Sequence, residues 1–282
     1  MADSQHTDPL DSPSHTADLR YCDLPAAHPE ADAAPLLLLH GYVGSLADWD
    51  GVAPVLAEER RVVAYDHRGH GGSTKFADRT AYTFDHLAAD LDFFATRLLP
   101  DRYDLLGHSM GGVVALRHTL AHPERVRSLV LMDTAAEPTS TPLLRVLARG
   151  MNAAVGRWGL GPLLACLKPF TRAPKTATPQ QRAQRERQSD ALTGMDKAAF
   201  VGFGEALGSY PSLLGRLGEI SCPVTVIVGE HDKRLRGAAE QFAAGIPGAR
   251  LVVVAGAKHN PQTERPDAWL AAVREHFERA LR

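Results

Sequence analysis

From Leu36 onward, short runs of consecutive apolar residues alternate with longer stretches whose apolar positions recur every three or four residues. "PLLLLHG", "RRVVAYD", "RYDLLGH", "VRSLVLMD", "CPVTVIVGEHD" and "ARLVVVAGAKH" are of the first kind. A strand that is apolar at nearly every position is one covered on both faces. Between these runs, "LADWDGVAPVLAEE", "TFDHLAADLDFFATRLL", "MGGVVALRHTLAHPERV" and the terminal "PDAWLAAVREHFERAL" read as helices. Thr83 stands where an N-cap belongs, ahead of a face made by Leu87, Leu91 and Leu98. The alternation predicts an α/β fold, with a mostly parallel central sheet and helices on both faces.

The pattern breaks twice. Residues 1–18 are polar and lack an apolar signal-peptide core, so they are expected to form a disordered tail. Residues 137–218 carry no strand signal; apolar helical patches are followed by the polar run "RAPKTATPQQRAQRERQSD". That stretch is read as a helical cap, or lid, inserted into a core made of residues 19–136 and 219–282. The charged run is taken as a solvated helix face. The apolar stretch from Leu143 is interrupted by Arg145, Arg149 and Arg157, which fits a lid better than an interfacial helix and excludes a membrane span.

Composition narrows the classes. With 282 residues, 44% hydrophobic and 23% charged, the chain can bury a large core. The formal net charge is −2, and no basic stripe suggests nucleic acid. Three cysteines, Cys22, Cys166 and Cys222, are far apart and odd in number, so neither a disulfide framework nor a metal spacing follows. A cytoplasmic location is expected. The expected partner is a small-molecule substrate, with the chain acting as a monomer or homodimer.

Candidate chemistry sits at the ends of the predicted strands, where open parallel sheets bind ligands. In "LLGHSMGGVVAL", Gly107 and Gly111 flank Ser109 at two residues on either side. Glycines there let strand and helix approach closely and present the serine at a tight turn, the G-x-S-x-G elbow. A serine nucleophile needs a base, and the base an orienting carboxylate. The chain order serine, acid, histidine selects Ser109, Asp232 and His259. Asp133 and Glu230 remain as rival acids, and His40, His67 and His70 as rival histidines. A metal set of His40, His67, His70 and Asp66 has suitable ligand types but no recognised zinc spacing. "LLLLHGYVGS" supplies a glycine-containing loop that can aim the Tyr42 N–H at a developing oxyanion, beside the Met110 N–H at the start of the following helix.

On "LLLLHGYVGS", "YDHRGHGGST", "LLGHSMGG", "HPERVRSLVLMD", "CPVTVIVGEHD" and "AKHNPQTERPDAW", the chain resembles the α/β-hydrolases of the cofactor-free, lidded type. The resemblance runs from Leu36 to the C-terminus; only the insertion is unmatched. It implies Ser109 as nucleophile, His259 as base, Asp232 as acid, and Tyr42 and Met110 as oxyanion donors. It also implies structural roles for Asp66, Arg68 and Gly69, and no cofactor or metal. Serine at the elbow argues against epoxide hydrolases and haloalkane dehalogenases, which carry aspartate there. Hydrolysis of a small to medium apolar ester or lactone is the expectation. Carbon–carbon bond cleavage by the same three residues is the alternative, and a non-catalytic ligand-binding relative is a further one. Met151, Trp158, Leu163, Phe170, Phe200 and Phe203 are candidates to line an apolar pocket under the lid, or else to fasten the lid to the core.

Overall fold

The computed structural model describes residues 5–6, 17–28, 33–139, 142–162, 165 and 179–281. The strands are β1 (Gln5–His6), β2 (Tyr21–Leu24), β3 (Leu36–Leu39), β4 (Val62–Tyr65), β5 (Tyr103–His108), β6 (Val126–Met132), β7 (Val224–Gly229) and β8 (Arg250–Val254). They form one sheet in the order β1-β2-β4-β3-β5-β6-β7-β8. From β4 to β8 every pairing is parallel, while β1 and β2 are antiparallel additions. The α helices are α1 (Ala53–Leu56), α2 (Phe84–Leu98), α3 (Met110–Ala121), α4 (Pro142–Trp158), α5 (Pro179–Gly194), α6 (Lys197–Leu207), α7 (Arg236–Gly245), α8 (Pro261–Glu264) and α9 (Pro266–Ala280).

The apolar runs alternate between two cores because successive strand side chains point to opposite faces. Leu37, Leu39, Val63, Tyr65 and Leu105 pack with Phe84, Leu87 and Leu91 of α2 and Val113 and Leu116 of α3. Leu36, Leu38, Val62, Ala64 and Leu106 pack on the other face with Leu56 of α1 and Trp269, Val273 and Phe277 of α9. Thr83 caps α2 by accepting the His86 N–H at 3.2 Å, as its position predicts.

Three expectations change. The helix read over "LADWDGVAPVLAEE" is a 3₁₀ turn (Leu46–Trp49) followed by the short α1. Gly51 lies between them, and Pro54 fits only the first turn of a helix. β2 escaped the pattern because it is a sheet strand with three partly exposed positions, so it lacks the continuous apolar run of its neighbours. The stretch read as a disordered tail includes ordered parts. Gln5–His6 pair with Tyr21–Cys22, and the buried Ala17 donates its N–H to Asp90 Oδ1 at 3.1 Å. Between β6 and β7 the chain forms α4, α5 and α6 and no strand among the described residues. No described helix is long and apolar enough to cross a membrane.

Charge is buried at the end of β5 remote from Ser109. Asp104 accepts from Arg60 Nη1 at 2.9 Å, Arg127 Nε at 2.9 Å and Nη2 at 2.6 Å, and Ser128 Oγ at 2.6 Å. The Arg60 guanidinium also lies over the Phe277 ring, 3.5 Å from its centroid. Removing the carboxylate leaves a buried guanidinium without its counter-charge, which costs about 3–5 kcal/mol. Asp104→Ala is therefore expected to lower the stability measured by urea unfolding by about that amount. A loss below about 1 kcal/mol would show that the cluster carries little weight.

Candidate active site

Ser109 stands between the last residue of β5 and the first of α3. Its φ of 51° and ψ of −114° are a conformation that a residue with a side chain rarely adopts. The surroundings hold it there. Its N–H donates to Met132 O at 2.9 Å, and its carbonyl accepts from the Gly112 N–H at 3.0 Å and Thr134 Oγ1 at 2.7 Å. A Cβ on Gly107 would lie 2.3 Å from Gly111 O, and one on Gly111 would lie 2.5 Å from Leu39 O. The two glycines are therefore required by contact between strand and helix, as the sequence spacing suggests.

The β8–α8 loop brings His259 to this turn. His259 Nε2 lies 3.1 Å from Ser109 Oγ, and His259 Nδ1 lies 2.6 Å from Asp232 Oδ2. Burial opposes ionisation of Asp232, but the hydrogen bond and charge of His259, with the Leu235 N–H and Arg234, hold its carboxyl below the ordinary range. Asp232 is anchored through its other oxygen, which accepts the Leu235 N–H at 3.3 Å. The rival acids are engaged elsewhere. Glu230 accepts the Gly256 N–H at 2.7 Å. Asp133 Oδ1 accepts the Gly229 N–H at 3.0 Å. Burial, reinforced by the negative charge of Asp232, pushes the Asp133 carboxyl up to about 9. A carboxyl raised in this way is a poor anionic partner for the base.

The rival histidines form a separate buried cluster. His40 Nδ1–H donates to Gly41 O at 2.8 Å, and its Nε2 accepts the His67 N–H at 2.9 Å. Both nitrogens of His40 are thereby committed to backbone, and burial lowers its pKa to about 4. Asp66 ties the same loops together, accepting the Leu46 N–H at 2.7 Å and the Gly72 N–H at 3.0 Å. Arg68 forms a buried two-pronged pair with Asp90 at 2.5 and 2.6 Å. At Gly69, with φ of 76°, a Cβ would lie 2.3 Å from Ala199 Cβ. These residues secure the loop that carries Gly41 and Tyr42. That loop lies against the elbow, since a Cβ on Gly41 would sit 3.1 Å from Ser109 Cβ. Neither the Tyr42 N–H nor the Met110 N–H is bonded to another described residue.

Two residues that position the site were not singled out from sequence. His108 Nε2–H donates to the carbonyl of His259 at 2.8 Å; burial, with His259 beside it, keeps its ring neutral, the pKa lowered to about 3. Thr134 holds the Ser109 carbonyl and also touches Gly112, where a Cβ would lie 2.6 Å from its side chain. Adjacency to Ser109 was the only signal for His108, and Thr134 offered none.

Ser109, His259 and Tyr42 open into a cavity of about 660 Å³ between the core and the insertion. Met151 is among the residues that line it. Trp158 does not: it lies about 10 Å further along α4 and is 67% exposed. Phe200 and Phe203 do not line it either. Tyr42 packs on the Phe200 ring and donates its hydroxyl to the Phe200 carbonyl at 2.6 Å. Phe203 stacks on His70 and meets Tyr82 edge-on. Both fasten α6 to the core, while its Gly204, Leu207 and Gly208 face the cavity. Leu163 and Phe170 lie outside the described residues.

The sequence profile of the alpha/beta hydrolase fold family matches residues 34–266, and the chain belongs to that family. It is 29% identical over 252 residues to the pimeloyl-[acyl-carrier protein] methyl ester esterase of Nitrosomonas europaea, spanning 84% of this chain and 92% of that one. It is 38% identical over 145 residues to the 2-hydroxymuconate semialdehyde hydrolase of Pseudomonas sp. (strain CF600), spanning 49% and 46% of the two chains. The crystal structure of the enol-lactonase from Burkholderia xenovorans LB400 matches with a TM-score of 0.80 at 25% identity, covering 93% of this chain and 97% of that one.

The raised Asp133 carboxyl predicts a pH signature. The unfolded chain ionises this carboxyl near pH 4, the folded one only at about 9. Across that window the wild type loses stability as pH rises, whereas Asp133→Asn, with an amide in place of the acid, does not. The melting temperature of Asp133→Asn minus that of the wild type should increase from pH 5 to pH 9. Parallel curves would mean that Asp133 is ionised in the folded protein at neutral pH.

Proposed function

We propose that the protein is a serine hydrolase that cleaves a small to medium ester or lactone, largely apolar around the scissile bond, through an acyl-enzyme. The observation that carries this reading is the hydrogen-bonded chain from Ser109 Oγ through His259 to Asp232, at 3.1 and 2.6 Å, opening on a cavity. Likeness to a methyl ester esterase and an enol-lactonase supports the bond type.

In this mechanism Asp232 accepts the His259 Nδ1–H and so keeps Nε2 unprotonated and aimed at Ser109. His259 Nε2 takes the Ser109 proton as Oγ attacks the ester carbonyl carbon. The Tyr42 and Met110 N–H groups stabilise the carbonyl oxygen as it becomes an oxyanion, aided by the positive end of α3. The histidine then gives its proton to the departing alkoxide, leaving the acyl group on Ser109. A water molecule, deprotonated by the same nitrogen, attacks the acyl carbon; the acid is released and Ser109 recovers its proton. For a lactone the departing alkoxide stays tethered to the acyl chain. His108 acts on the base at second hand, holding the His259 carbonyl.

Ser109→Ala should lower kcat for p-nitrophenyl esters by several orders of magnitude without loss of fold. Asp232→Asn should lower it by about 10³–10⁴-fold, since an amide no longer fixes the useful tautomer. Asp133→Asn should leave it within a few-fold of wild type. Equal losses at the two aspartates, or the reverse order, would overturn the assignment of Asp232.

A further inference from the structure

The cavity above Ser109 is lined by more charge than an apolar acyl pocket requires. Apart from His259, four ionisable side chains of opposite kinds face it: Asp133, Glu205, Arg149 and Arg234. The two acids already have partners. Asp133 accepts the Gly229 N–H, and Glu205 pairs with Arg79 at 3.3 Å. Arg149 and Arg234 form no hydrogen bond or ion pair with any described residue.

They come from two different parts of the fold. Arg149 projects from α4 in the insertion, and Arg234 from the turn after β7, two residues beyond Asp232. The field of Arg234 reaches the site, being one of the influences that lower Asp232. Arg149 stands, with Asn152 and Glu205, on the partition between this cavity and an adjoining one of about 520 Å³. The cavity walls also include the apolar Val113, Ala135, Met151 and Leu207. The cavity is thus apolar in part and cationic in part, with the reacting hydroxyl opening into it.

A guanidinium presents a rigid fork of donors that matches the two oxygens of a carboxylate. Two such forks facing one cavity without an acceptor favour an anion there over a neutral chain. We infer that the substrate carries a carboxylate at the end remote from its scissile ester or lactone carbonyl, and that Arg149 and Arg234 hold it. The inference rests on Ser109 being the nucleophile. The substrate class is then a mono-ester of a dicarboxylic acid, or a lactone bearing a side-chain carboxylate.

The test compares p-nitrophenyl hydrogen adipate with p-nitrophenyl 6-methylheptanoate, in which an isopropyl group replaces the carboxylate at equal chain length. Wild type should favour the charged ester by about tenfold or more in kcat/KM, chiefly through KM. The preference should shrink as salt rises, since both arginines are exposed at the cavity rim. Arg149→Met should reduce it severalfold with turnover of the neutral ester changed less than about threefold, and the double substitution of Arg149 and Arg234 by methionine should abolish the preference. Equal turnover of the two esters by wild type, or a preference that survives the double substitution, would overturn the carboxylate assignment. Labelling of Ser109 by a fluorophosphonate separates the two layers. A labelled enzyme with no charge preference refutes only the carboxylate. A folded protein that resists labelling and cleaves neither ester refutes the serine mechanism on which it stands.

Discussion

Ser109 is held in a backbone conformation that costs of order 1–3 kcal/mol, and much of the neighbouring structure serves to impose it. Strand β5 has to meet helix α3 within a single residue, which is possible only because Gly107 and Gly111 bring backbone against backbone. The carbonyl of Met132 accepts the Ser109 N–H, and the Thr134 hydroxyl donates to the Ser109 carbonyl, so the end of β6 and the residues just after it set the turn from both sides. The loop after β3 closes against the same point through Gly41. Once the turn is set, the serine hydroxyl faces the cavity that Tyr42 and His259 also line. His259 reaches it because β8 ends beside β7, which in turn ends beside β6.

Much of this was legible because it has a one-dimensional trace. Fully buried parallel strands leave uninterrupted apolar runs, and β3 through β7 were found that way. The elbow left paired glycines, and strand order left the sequence Ser109, Asp232, His259. Tyr21–Leu24 was missed because three of its four positions are partly exposed, which breaks the run without making a regular alternation. The helix expected after Gly44 was too long because its apolar positions fit a helical face while Gly51 and Pro54 divide it. The roles of Thr134 and of the buried Asp133 carboxyl could not be read at all. Each depends on a contact between residues remote in sequence, and neither residue type announces it.

The insertion shows where periodicity stops being informative. Phe200, Phe203 and Met151 are all apolar residues on helices that pack against the core. Only packing decides that Met151 faces the cavity while the two phenylalanines are consumed in joining α6 to Tyr42, His70 and Tyr82. The cavity that results is less apolar than the side chains nominated for it. Arginines look like solvated surface in a sequence, and here two of them border the site. Membership of the family therefore does not by itself fix what the cavity takes.

The central claim is that a covalent bond forms at Ser109 during turnover. Mixing the enzyme with a p-nitrophenyl ester, quenching in acid within milliseconds and digesting it should give a peptide containing Ser109 heavier by one acyl group. The adduct should decay on further incubation with water at the rate of steady turnover if deacylation limits, and a matching burst of p-nitrophenol should precede it. A peptide that stays unmodified throughout, with turnover proceeding and no burst while the adduct is trapped on another residue, would contradict the account.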